Sequence, residues 1–232
     1  MNKIYLITGT SKGIGKYLCE HYLAQDNIVI GCSRSEKSIT NKNYFHYTLD
    51  ISQEKSVMKM VSEIIKKFGE IDVLINNAGI ASLNHFILSP LSKAEEIFRT
   101  NYFGTFIVMQ QVAKTMIRNK YGRIINFTTV AVPLNLEGEA IYASSKSAVE
   151  TLTKITAKEL ASYNITVNAI GLTPVKTNLI ENIPKEKIEK LIERQAFKRY
   201  GEMKDIINSV DFFINENSNY ITGQILYLGG VY

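Results

Sequence analysis

Two cysteines, Cys19 and Cys32, are all that the 232-residue chain contains, and they show no metal-ligand spacing. So few cysteines, with a first strand that starts almost at once and leaves no export signal, point to the cytoplasm. Cys19 falls on the apolar side of a predicted helix and is expected in the core. The three histidines, His21, His46 and His85, form no cluster, so no metal site is expected. No apolar run approaches the roughly 20 residues of a membrane span, so no membrane partner is expected. The net charge of +5 is not gathered into a basic block. Lys185 to Lys190 alternates with acids and reads as a solvated helix face, so nucleic acid is not an expected partner. Repeats, linkers and low-complexity segments are also missing, and residues 1–232 read as one domain.

What is present is a regular alternation. Short apolar runs at 3–8, 27–32, 44–49, 72–75, 123–128 and 165–170 predict strands buried on both faces. Between them, helical spacing predicts helices up to about 25, over 53–68, over 92–119 and over 140–163. This order defines an α/β chain, a three-layer doubly wound Rossmann fold with a mainly parallel sheet. Asn101 falls inside the 92–119 helix. Asparagine is a poor helix-interior residue, so a bend or a local role is expected there.

Three stretches point to chemistry. Gly9, Ser11, Lys12, Gly13, Ile14 and Gly15 lie between the first strand and its helix. Glycines there let backbone approach phosphate closely, and the helix N-terminus offers free N–H groups to a pyrophosphate. A tight turn without ligand is the plainer alternative. The second strand ends at Ser33 and Arg34, where such folds read the ribose 2′ position. An arginine there, with Lys12 nearby, favours the phosphate of NADP(H) over the hydroxyl of NAD. Tyr142 and Lys146 are spaced i, i+4, so phenol and ammonium project from one helix face. A neighbouring cation favours phenolate, which would poise Tyr142 for proton transfer near neutral pH. By itself the pair also fits a solvated face.

Thr8-Gly9-x-x-x-Gly13-x-Gly15, Asn76-Asn77-Ala78-Gly79, Asn101, Tyr142, Lys146 and Ile221-Thr222-Gly223-Gln224 occur in one order. Together they resemble the compact short-chain dehydrogenase/reductase family over nearly the whole chain. The loops are most similar to those of 3-oxoacyl-acyl-carrier-protein reductases and related small carbonyl reductases. The resemblance implies NADPH-dependent reduction of a carbonyl, with Tyr142 protonating the developing alkoxide. It implies that Lys146 lowers the Tyr142 pKa and binds the nicotinamide ribose, and that Asn101 holds a relay water. It extends the cofactor contacts to Asp50, Ile51, Asn77, Ala78, Gly79, Val175 and Thr177.

Thr129 stands thirteen residues before Tyr142, where the family has serine; threonine keeps the hydroxyl. Thr128 is the rival for that role. Leu172-Thr173 replaces the usual Pro-Gly, removing backbone freedom beside the nicotinamide, and Gly229-Gly230 replaces Asp-Gly-Gly. A substrate lid is expected between Thr177 and Tyr200, with Pro184 opening its helix. Residues 81–86, including His85, and 130–136 are expected to complete a mostly apolar pocket. This suits an acyl chain, carried or not on acyl carrier protein, or a small ketone. The resemblance also implies a homotetramer packed through the Asn101 and Tyr142 helices, where Val149, Leu152, Ile155 and Leu160 fit burial on two sides. A catalytically quiet cofactor-binding relative is the alternative function.

Overall fold

The computed structural model describes residues 2–36, 38–177, 180 and 183–231. β1 (Ile4–Thr8), α1 (Gly13–Leu23) and β2 (Ile28–Ser33) open the chain. β3 (Tyr44–Thr48), α2 (Glu54–Phe68) and β4 (Val73–Asn76) follow. Then come α3 (Leu91–Phe98), α4 (Thr105–Asn119) and β5 (Gly122–Thr129). A short α5 (Ala131–Leu134) precedes α6 (Ala140–Leu160) and β6 (Ile165–Leu172). The chain ends with α7 (Lys185–Glu193), α8 (Met203–Ile214) and β7 (Ile225–Tyr227). The strands form one seven-stranded sheet in the order β3-β2-β1-β4-β5-β6-β7. Every pairing is parallel.

Strand alternation explains the unbroken apolar runs. Ile4 and Leu6 of β1 face one core with Val57, Met60 and Ile64 of α2 and Val108, Val112 and Met116 of α4. Tyr5 and Ile7 face the other, with Leu18 and Tyr22 of α1 and Ile206, Val210 and Phe213 of α8. Both faces are covered, so both parities of the strand must be apolar. Each such fully buried side chain stabilises the fold by about 1.5–3 kcal/mol. Cys19 is in the second core, as expected. The chain runs outward from β1 through β2 to β3, then crosses back to β4 on the other side of β1. A crevice opens beyond the carboxyl ends of β1 and β4 at that reversal, which is where ligands bind in such sheets.

The long helix expected over 92–119 is interrupted. Arg99–Gly104 forms a π-helical turn between α3 and α4. Two contacts account for the break. The Asn101 amide is bonded outside its helix, and a Cβ at Gly104 would stand 2.7 Å from Ile51. β7 was not expected, since its three residues are too few to show periodicity. The helix expected after Pro184 is α7. Residues 178, 179, 181 and 182 of the expected lid lie outside the described residues.

Candidate active site

The glycine loop is shaped by contact with β4. Gly9 has φ +73°, and a Cβ there would lie 2.8 Å from Ala78 Cα. A Cβ at Gly15 would lie 2.3 Å from the Gly9 carbonyl oxygen. Only glycine permits both approaches. The Asn77 and Ala78 N–H groups donate to Thr8 Oγ1, each at 3.0 Å. Asn77 Nδ2 donates to the carbonyls of Thr8 at 2.8 Å and Gly9 at 3.1 Å. The Asn77 amide hydrogens, expected on a ligand, are thus spent on holding the loop. Gly15 does not line the cleft; it packs behind it. Among the described residues no side chain caps the N-terminus of α1, so its first N–H groups are available to an anion.

A cleft of roughly 530 Å³ follows the loop. Gly9, Ser11, Lys12, Gly13, Ile14, Ser33, Arg34, Asp50, Ile51, Asn77, Ala78, Gly79 and Thr177 line it, as expected of cofactor contacts. Lys93 and Thr100 line it too and carried no sequence signal. Lys12 and Arg34 are exposed, and neither forms an ion pair among the described residues. Asp50 is half-buried, its Oδ1 accepting from Ser52 N–H at 2.9 Å.

At the other end of the crevice, the Thr129 hydroxyl and the Tyr142 phenol stand together in the wall of one cavity. Thr129 Oγ1 accepts from Ala131 N–H at 3.2 Å, which leaves its own hydrogen free to turn toward the phenol. Thr128 points to the opposite face of β5. It donates to Glu150 Oε1 at 2.6 Å, and Tyr227 donates to the other Glu150 oxygen at 2.8 Å. Thr129, not Thr128, is therefore the hydroxyl beside Tyr142.

The electrostatics differ from expectation. Burial, then the Glu139 charge, hold the Tyr142 phenol well above its ordinary pKa, and the neighbouring Thr129 hydroxyl only partly opposes them. Burial pushes the Lys146 ammonium down to about 8. Lys146 Nζ donates to the Phe127 carbonyl at 2.8 Å, and desolvation outweighs the tuning expected from an i, i+4 cation. Lys146 lies beneath the cleft, with Nζ 3.4 Å from where a Gly79 Cβ would be. Asn101 lies nearby, fully buried. Its Oδ1 accepts from Ile80 N–H at 2.8 Å, and its Nδ2 donates to Ile80 O at 2.9 Å and Ser145 Oγ at 3.1 Å. The amide thus holds the chain after Gly79.

A second cavity of roughly 500 Å³ adjoins the first and shares Ile14, Ala81 and Thr177 with it. Tyr142 and Thr129 are in its wall, with Leu83, Val130, Leu134, Leu136, Ile183 and Leu191. Val175, expected on the cofactor, lines this cavity instead. His85 is exposed and lines neither cavity. The lining is less apolar than expected. Glu137 and Glu139 line it too, as do Lys187 and Lys190 of α7 and Arg194 at its C-terminal cap. At i, i+3 and i+7 these cations share one helix face, while Glu186, Glu189 and Glu193 lie on another. The pattern taken for a solvated face is a charge-segregated one. Thr173, in place of glycine, donates to Gln195 Oε1 at 2.5 Å. Gly229 and Gly230, both at positive φ, fold against Gln195 and Ala196. The two altered motifs thus meet in one contact.

The fold, the glycine loop and the Thr129–Tyr142 pair define a nucleotide-binding oxidoreductase architecture. The family model described as short chain dehydrogenase matches residues 3–188. The chain belongs to the short chain dehydrogenase family. It is 32% identical to the 3-oxoacyl-acyl-carrier-protein reductase FabG of Staphylococcus epidermidis, covering all of both chains. It is 34% identical to FabG of Buchnera aphidicola subsp. Baizongia pistaciae, covering 99% of this chain and 97% of that one. Among solved structures, ElxO with NADP bound superposes with a TM-score of 0.90 at 31% identity, covering 98% of this chain and 97% of that one. Ligand-free aldohexose dehydrogenase of Thermoplasma acidophilum gives 0.89 at 28% identity, covering 99% and 94%.

Proposed function

We propose that this chain is an NADPH-dependent reductase that converts a carbonyl to an alcohol, with a 3-oxoacyl thioester as the favoured substrate class. The observation that carries the reading is the Thr129–Tyr142 hydroxyl pair in a cavity that opens into the glycine-loop cleft. The cleft fits a dinucleotide phosphate: Gly9 and Gly13 leave backbone space, α1 offers free N–H groups, and Lys12 and Arg34 supply charge. ElxO, a relative of the same shape, holds NADP. The FabG relatives are named for acyl-carrier-protein substrates. The apolar wall suits an acyl chain better than an aldohexose.

Bound NADPH supplies a hydride to the carbonyl carbon. Negative charge then develops on the substrate oxygen, and groups poised at that point stabilise it. Tyr142 donates its proton to that oxygen. Its raised pKa keeps the proton in place until the oxygen becomes the stronger base. Thr129 donates a hydrogen bond that steadies the phenolate left behind. Lys146 and Asn101 hold the floor around Gly79, and the Tyr142 proton is restored from solvent. Residues 1–232 act as one domain, in the cytoplasm, assembled as a homotetramer through the outer faces of α4 and α6.

The test is NADPH oxidation against 3-oxoacyl thioesters, β-keto esters and simple ketones. Turnover with one class confirms the reading. Tight NADPH binding with no turnover on any carbonyl would favour a quiet cofactor-binding role instead.

A further inference from the structure

A hydrogen-bonded chain at the β2–β3 edge, running from the buried Thr10 to the exposed Ser35, takes no part in the reaction just described. It begins in the glycine loop, where Thr10 Oγ1 lies 3.1 Å from Tyr44 Oη. Tyr44 Oη lies 2.8 Å from His46 Nδ1. His46 Nε2 lies 2.9 Å from the Ser35 carbonyl and 3.3 Å from Ser33 Oγ. Ser33 Oγ in turn donates to the Ser35 carbonyl at 2.8 Å. A second tie joins the same two segments, Ser38 Oγ donating to Ser11 O at 3.0 Å.

The direction of the chain follows from its end. A carbonyl only accepts, so His46 Nε2 carries the hydrogen given to Ser35. In the neutral ring Nδ1 is then an acceptor, filled by the Tyr44 hydroxyl, which accepts in turn from Thr10. Burial pushes the Tyr44 phenol up to about 12, so it keeps the hydrogen it donates. Gly31 makes room for this. It pairs with His46 across β2 and β3, and a Cβ there would lie 2.2 Å from Tyr44 Oη and 2.5 Å from Thr10 Oγ1.

His46 does not line the cleft, but both segments it connects do. One carries Lys12 and the other carries Arg34. We infer that His46 is a positioning residue for the 2′-phosphate of NADPH, fixing the turn at residues 33–35 so that Arg34 is held ready at the cleft wall. The inference rests on the NADPH reading above. An exposed turn ordered in advance spares a ligand the cost of ordering it. Only a ligand that uses Arg34 gains, and NADH has no phosphate to place there.

Calorimetric titration of NADPH and NADH tests this, using the intact protein, Arg34→Ala, His46→Ala, His46→Gln and Tyr44→Phe. His46→Ala should weaken NADPH about tenfold and leave NADH within about twofold. His46→Gln should recover part of the loss, since its amide N–H can still donate to Ser35. Tyr44→Phe keeps the ring packing and should show a smaller loss with the same selectivity; it carries the comparison if His46→Ala does not fold. Unchanged NADPH affinity in these variants, or equal weakening of both cofactors, overturns the inference while Arg34→Ala still upholds the NADPH reading. Equal affinity of the unsubstituted protein for both cofactors overturns that reading and the inference with it.

Discussion

Thr129 stands beside Tyr142 in the cavity wall, and its hydroxyl oxygen accepts from Ala131 N–H at 3.2 Å, which leaves the hydroxyl hydrogen for the phenol side. The backbone bond fixes which way the threonine donates. Thr129→Val keeps the shape and removes the donor, so kcat should fall by about tenfold or more. Thr129→Ser should stay within about threefold, because the donor remains. Thr128→Val should leave the rate nearly unchanged and lower the melting temperature, since Glu150 loses its 2.6 Å partner in a buried place. Steady-state kinetics and a thermal melt on the three variants separate the two threonines. A rate loss confined to Thr128→Val would reverse the assignment.

How much of this could be read in advance depended on the range of the interactions. The strands, the glycine loop and the i, i+4 pair of Tyr142 and Lys146 follow from local spacing, and the sequence shows them. The choice between Thr128 and Thr129 was left open, although strand alternation sends neighbours to opposite faces. Its decisive facts, Glu150 on one face and Tyr142 on the other, lie outside the strand. The Asn101 amide bonds could not be read from the sequence, because their partner Ile80 is 21 residues away. The lid cations looked solvated because charge alternation along the chain hides segregation around the helix. Desolvation of Lys146 depends on packing from several elements, and no spacing rule reports it.

Glu139 gives the cavity a pH-dependent stability. Burial raises its pKa from the ordinary 4.5 to about 7, with Lys187 partly opposing the shift. A carboxyl raised in the folded state favours folding only while protonated. Its penalty therefore appears as pH rises through about 4.5 and is complete above about 7. Glu139→Gln should melt higher than the unsubstituted protein near pH 8 and match it near pH 4, at about 2–4 °C per kcal/mol for a chain this long. Lys187→Ala should widen the gap between the unsubstituted protein's melting temperatures at the two pH values. Identical melting of Glu139→Gln at both would count against the buried position.

The assembly prediction rests on apolar surface. Phe103 is 53% exposed, Phe106 37% and Ile155 52%. Val149, Leu152 and Leu160, also expected at a subunit contact, pack inward on the core or close to it. The outer contact thus narrows to Phe103, Phe106 and Ile155, on α4, the π turn before it and α6. Apolar patches of this kind mark association sites. The protein should sediment as a tetramer, and Phe106→Asp should shift it to smaller species with its secondary structure kept. A monomer at micromolar concentration would sink the proposal.

Tyr142 and Lys146 supply the last test, because burial moves them in opposite directions. The phenol is held protonated across the neutral range, so it can act as an acid without first being charged. Lys146, lowered to about 8, loses its charge as pH rises through that value in the cofactor-free protein. The pH profile of kcat/KM for NADPH reports groups of the free protein, so it should fall above about 8. The phenol, not the lysine, carries the proton to substrate. Tyr142→Phe should therefore keep NADPH binding while lowering turnover by about 10²–10⁴-fold. Lys146→Met should lower both binding and melting temperature, because Phe127 O loses its 2.8 Å donor. Single-turnover NADPH oxidation at saturating cofactor isolates the chemical step. If Tyr142→Phe reduces an accepted ketone at the unsubstituted rate, the proton comes from another group and the proposed mechanism fails.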